Sequence, residues 1–155
     1  MQSIKLIEPA RLSDYLAAGI VQRMPGRRLR FRPEGEWAQA GESRLGYTQL
    51  VRLVECAREL HWGDLNCPAD VDNTVRILSL DFRSPVLVGH SYDLAVRCEE
   101  VTEHGFWLMV RCFDTASDSL AFEAKALILL LSGATGALRR NDFVRPDSPG
   151  PPGPR

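Results

Sequence analysis

Between Gly46 and Trp62 apolar side chains recur every three to four residues; after Asn73 they recur every two, and the helical period does not return. No other feature constrains the fold as strongly. In GYTQLVRLVECARELHW, Leu50, Leu53, Val54, Ala57 and Leu60 share one arc of a helix, with Arg52, Glu55 and Glu59 opposite. The stretch GDLNCPAD, 63–70, ends that helix through its Gly, Asn and Pro. Strand patterns follow at 75–83, 91–102, 106–113 and 120–131. The links SPVLVG, EHG and TASDS are too short to carry crossover helices, so the sequence predicts a four-strand antiparallel meander. A helix and a long sheet bury their apolar faces together when the sheet curves around the helix. The predicted class is therefore α+β, a long antiparallel β-sheet wrapped around one central α-helix. The start of that helix, near Leu45, Gly46 and Tyr47, then lies at the rim, where free backbone N–H groups meet an anion or a polarised carbonyl oxygen.

The flanks are plainer. Residues 1–25 are expected to be a peripheral segment, with Ser13 as N-cap of a short helix before Pro25 and Gly26 break the chain. RRLRFRPEGEWAQA predicts a first strand with Leu29, Phe31 and later Trp37 as its apolar members, kinked between Pro33 and Gly35. A single domain is expected over 26–145. The stretch RPDSPGPPGPR is poor in backbone donors and apolar groups, which predicts a disordered tail over 146–155.

Composition narrows the partners. A chain of 155 residues is one domain by size, and 45% hydrophobic with 25% charged residues suits a globular protein. A net charge of -1 exerts no long-range pull on nucleic acid or an anionic membrane, so neither is an expected partner. ALILLL, the most apolar run, is far shorter than the roughly 20 residues that cross a bilayer. The opening MQSIKLIEPARLSDY lacks the apolar core of a secretory signal, and Cys56, Cys67, Cys98 and Cys112 form no CxxC pair. A cytoplasmic protein with buried thiols and no metal is expected.

The stretch SLDFRSPVLVGHSYDLAV, 79–96, joins two strand patterns through a short Pro-to-Gly break. Its Leu80, Phe82, Arg83, Pro85, Gly89, Tyr92, Leu94 and Val96 resemble the hotdog-fold thioesterases, particularly the 4-hydroxybenzoyl-CoA thioesterase-like group. The resemblance extends over about 28–131, taking in Tyr47, Leu50, Leu53 and Glu55 of the helix and the GFWLMVRCFD and LAFEAKALILLL strands. It implies a hotdog fold and hydrolysis of acyl-thioesters of CoA or acyl carrier protein without a metal or organic cofactor. It also implies a homodimer or homotetramer with its sites at the subunit interface. Many members carry a catalytic Asp in a loop before the helix, often ending in Gly-His-Val-Asn-Asn. Here WAQAGESRLGYTQ sets Ala38 and Ala40 roughly where the acids would stand and Arg44 near the place of the histidine. A second branch uses a Glu on the helix, and Glu55 stands at a suitable position; Glu42 is the other nearby carboxylate.

Thioester hydrolysis needs donors for the carbonyl oxygen and a carboxylate to deliver water or attack directly. Gly46 and Tyr47 amides are candidates for the first task, Glu55 or Glu42 for the second, with Arg44 and Asn73 as substrate contacts. Each has a bland competitor. Glu55 is spaced to pair with Arg52 or Arg58, and Glu42 suits a helix dipole. Gly46 suits a helix start, Tyr47 a core or interface aromatic, Arg44 an exposed loop and Asn73 a turn. His61, His90 and His104 assemble no triad in sequence. Dehydratase or lyase chemistry on acyl-thioesters, and noncatalytic acyl binding, are the alternatives to hydrolysis.

Overall fold

The computed structural model describes residues 10–38 and 41–147, so Ala40 lies outside the described residues, as do 1–9 and 148–155. The elements are helix α1 (Leu12–Ala17), strands β1 (Val21–Met24) and β2 (Arg28–Phe31), and a 3-10 turn at Gly35–Trp37. Helix α2 (Tyr47–Asp64) and strands β3 (Val71–Phe82), β4 (Tyr92–Thr102), β5 (Gly105–Asp114) and β6 (Leu120–Ser132) follow. The strands form one antiparallel sheet in the order β1-β2-β4-β5-β6-β3. α2 lies against β4 and β5, burying Leu50, Leu53, Val54, Ala57 and Leu60 as their spacing predicts. One long helix held by one antiparallel sheet is the hotdog arrangement.

Register shifts at Val75/Ile77, Cys98/Glu100 and Cys112/Phe113 interrupt the long ladders, and such bulges bend and twist strands. Gly105 at the start of β5 has no room for a side chain: a Cβ there would lie 1.9 Å from the Ile128 carbonyl oxygen.

Strand order departs from the predicted meander. β4, β5 and β6 do follow one another, but β3 pairs with β6 and leaves β4 to pair with β2. The nine residues between β3 and β4 therefore cross three strand spacings, about 14 Å. Nine extended residues reach roughly 30 Å, so a short link limits reach without compelling its two strands to touch.

Near the N-terminus the helix begins after Arg11, and Asp14 accepts the Arg11 N–H at 3.1 Å, so Ser13 is a helical residue and not the cap. Val21–Met24 hairpins onto β2 as the sheet's edge strand, so the first strand precedes the one predicted. α2 runs one residue beyond Gly63, its apolar face being held against the sheet. Asp147, assigned by composition to the tail, is anchored. Its N–H donates to the Cys98 carbonyl at 2.9 Å, and its carboxylate accepts the Cys98 N–H at 2.7 Å and pairs with Arg27 at 2.6 Å. A count of apolar groups overlooks an acid whose partners are far away in the chain.

Candidate functional site

The leading end of α2 is set by the Pro85–Gly89 joint. Leu45 N–H donates to Val86 O, and Val88 N–H to Ser43 O, both at 2.9 Å, making a short antiparallel bridge between Arg44 and Leu87. Gly89, at φ +87°, takes a turn closed to most side chains, and its N–H reaches Pro33 O at 2.9 Å. The Tyr92 hydroxyl accepts the Leu87 N–H at 2.8 Å while its ring stacks on Phe31. The joint therefore connects two strands and also holds the segment from Ser43 to Leu45 that delivers the first turn of α2.

Gly46 is the extended residue before the helix, and its N–H donates to Oε1 of the buried Gln49 at 3.0 Å. The next amides, of Tyr47 and Thr48, have no acceptor within the helix. These residues border a cavity of about 430 Å3. Leu45, Tyr47 and Leu50 from the helix side and Phe82, Pro85 and Val86 from the joint make its apolar surface. Two of them, Tyr47 at 64% and Phe82 at 51%, are among the most exposed large apolar side chains described, so solvent-facing aromatic surface concentrates at this opening. Arg44 and Arg83 are the charged residues of the lining. A recess of about 160 Å3 lies alongside, bordered by Glu42, Arg44, Leu45 and Gly46.

The six sequence-predicted residues thus divide. Gly46, Tyr47, Arg44 and Glu42 meet at this end. Glu55 and Asn73 do not line either space: Glu55 Oε2 accepts Arg58 Nε at 2.9 Å and Nη2 at 2.5 Å, and the same guanidinium donates to Asn73 Oδ1 on β3. Arg58 therefore joins the outward arc of α2 to the edge strand. Glu59, a helical neighbour, accepts the Leu12 N–H at 2.7 Å and holds the start of α1. Phe82, Arg83 and Gln49 were not singled out as site residues. The aromatic-basic-Pro motif carried a signal for the first two, and a Gln three residues into a helix carried one for the third.

Other reactive groups are quenched or remote. Burial pushes the Cys56 thiol up to about 12 and Cys98 to about 11, and raises Cys112 as well, so none offers a thiolate. Burial, reinforced by Arg27, lowers His61 to about 4, and Asp147 and Asp64 oppose the shift. His90 Nδ1 approaches Asp114 Oδ2 at 3.3 Å on an exposed surface. A larger cavity, about 530 Å3, lies beside Arg30, Arg32 and Trp37 and shares no residue with the α2 site. Among the described residues, no group of three or more His, Cys, Asp or Glu side chains is placed to hold a metal, and no helix is long and apolar enough to cross a membrane.

No family model matches the chain, and no curated protein matches it in sequence. Solved structures do match it in fold. YbaW, a probable thioesterase from Escherichia coli, superposes with a TM-score of 0.64 at 11% identity over 73% of this chain and 88% of that one. A 1,4-dihydroxy-2-naphthoyl-CoA thioesterase from Synechocystis gives 0.63 at 12% identity over 74% and 88%. A DHNA-CoA thioesterase from Staphylococcus aureus gives 0.64 at 11% identity over 74% and 80%. What they share with this chain is the hotdog fold.

Proposed function

We propose that the protein hydrolyses acyl-thioesters of coenzyme A or of acyl carrier protein at the leading end of α2. The observation that carries this is the meeting of the first-turn amides with a 430 Å3 cavity walled by Tyr47, Leu50 and Phe82. An acyl chain has apolar surface to cover there, and its carbonyl oxygen has an oriented N–H to accept from. The thioesterases that share the fold support the same chemistry. Water adds to the carbonyl carbon and gives its proton to a carboxylate. The oxygen is held by the Tyr47 amide, the carbon–sulfur bond breaks, and the thiolate takes the proton back.

Glu42, at the recess beside Gly46, is the carboxylate that a single chain brings to this end. Glu55 is a second reading, favoured by its place beside the edge strand. β3 runs for twelve residues with one edge unpaired among the described residues, and a second copy pairing there makes a homodimer. Such pairing brings the Glu55–Arg58–Asn73 cluster to the interface.

Tyr47→Pro tests the donor. Proline at the first helical position is compatible with the fold and follows an extended Gly46, yet it deletes the N–H. Free-thiol release across a panel of acyl-thioesters should fall about 10²–10³-fold, with Tyr47→Ala as side-chain control. Unchanged release by Tyr47→Pro removes this amide from the reaction. Glu42→Gln and Glu55→Gln on the same panel identify the carboxylate. A panel that the wild-type chain leaves intact, or converts with the thioester retained, overturns hydrolysis in favour of acyl binding or lyase chemistry.

A further inference from the structure

The charge lining the α2 cavity itself is one-sided, the nearby Glu42 bordering the adjoining recess. Ten residues line the cavity, two of them arginines and none a carboxylate, whereas the larger cavity sets Glu34 and Glu36 beside Arg30 and Arg32. The guanidinium of Arg44 has no carboxylate partner among the described residues. Arg83 meets Asp81 at 3.0 Å, but both side chains are 60% exposed, and an ion pair this open is worth little and exchanges readily for another carboxylate. Arg30 is different: Asp93, itself buried, holds it with two bonds of 2.8 and 3.0 Å. Arg32 is exposed and without an ion pair among the described residues as well, but it stands in a cavity with Glu34 and Glu36; Arg44 and Arg83 are the arginines available to a ligand in a cavity that no carboxylate lines.

Dimensions indicate where on a ligand the negative charge belongs. A cavity of 430 Å3 is roughly 9–10 Å across. The pantetheine arm that separates a thioester from its first phosphate is a peptide-like chain of about 15 Å, the span of four to five extended residues. With the carbonyl at the Tyr47 amide, that phosphate lies outside the cavity, while an anionic group on the acyl chain stays within it.

We propose that Arg83 and Arg44 are specificity residues, and that the acyl group they select carries its own carboxylate, separated from the thioester by an apolar aliphatic or aromatic body lying against Tyr47 and Phe82. This rests on the thioesterase reading and specifies its substrate class. The acyl body, by covering Tyr47 and Phe82, withdraws the guanidinium–carboxylate pair from water, which strengthens it over the open pair with Asp81.

The test compares ω-carboxyacyl thioesters with their uncharged methyl-ester analogues, each carried on coenzyme A and on uncharged N-acetylcysteamine. The full chain should favour the carboxylated acyl group at least tenfold in kcat/KM on both carriers. Arg83→Gln and Arg44→Gln should collapse that ratio toward one, Arg83→Lys should restore part of it, and Asp81→Asn, outside the cavity, should preserve it. A preference that tracks the carrier and ignores the acyl charge overturns the proposal, as does a ratio unmoved by either Gln variant. Should no thioester be hydrolysed, the thioesterase reading fails on its own. Calorimetric binding of glutarate or adipate, lost in Arg83→Gln, then still reports the carboxylate site, and absence of binding rejects it.

Discussion

The two ends of α2 are built oppositely. At the trailing end His61 is fully buried against Phe106, Val144 of the C-terminal segment is fully buried, and Asp64 and Asp147 share Arg27 in an ion network that also takes in Arg23. At the leading end Tyr47 and Phe82 remain exposed around a cavity with two arginines. Asp147, through Arg27, ties the segment after β6 to the trailing end, whereas the leading end borders an open cavity. A closed end converts apolar surface into stability, and an open end keeps apolar surface available for a ligand.

Paired phenylalanines break this comparison most sharply. Phe106→Ala at the closed end should cost about 3–5 kcal/mol in denaturant unfolding, because a fully packed ring leaves a cavity. Phe82→Ala should cost well under half of that and act instead on acyl-thioester turnover. Similar losses of stability at both positions would show that the leading end is packed like the trailing one.

His61 sharpens the contrast next. Its folded pKa of about 4 lies below the ordinary 6.5, so between those values the unfolded chain binds a proton that the folded chain refuses. Stability is fully present above pH 6.5 and should fall by up to about 3 kcal/mol as pH drops toward 4. His61→Phe should flatten that part of the pH profile, and a profile unchanged by the substitution would contradict a neutral buried imidazole. Asp147→Ala strips acceptors from the Cys98 N–H and from Arg27, which should cost about 2 kcal/mol and speed hydrogen exchange in 139–147.

The smallest effect belongs to the leading end. Gln49→Ala removes the acceptor of the Gly46 N–H and should lower stability by about 1 kcal/mol, measurable as a shift in Tm. A loss as large as that of Asp147→Ala would place the two ends on equal terms.

How much of this was legible depended on the range of the interaction. Leu50, Leu53, Val54, Ala57 and Leu60 announced the helix because their common face follows from local geometry alone. The alternation in β4, β5 and β6 announced a meander for the same reason. The pairing of β3 was not legible, since Val71–Phe82 alternates equally well beside either neighbour and the link to β4 reaches both. At the leading end, Gly46, Tyr47, Arg44 and Glu42 border the same spaces because a helix start groups them in sequence. Arg83 joined them only through the bridge between Arg44 and Leu87, and Glu55 was drawn to Asn73 only through Arg58.

By itself the amino-acid order determined the long helix, the strands that follow it, the class of fold and which end of the helix carries glycine and free amides, because each follows from side-chain period and from the backbone groups a helix leaves unsatisfied. The tertiary structure decided the strand order, the tie between Asp64 at one helix end and Asp147 through Arg27, and the gathering of Arg44 and Arg83 in the lining of the cavity at the other. Those outcomes turn on contacts between residues far apart in the chain, whose partners are selected by shape and charge only once the sheet has closed on the helix.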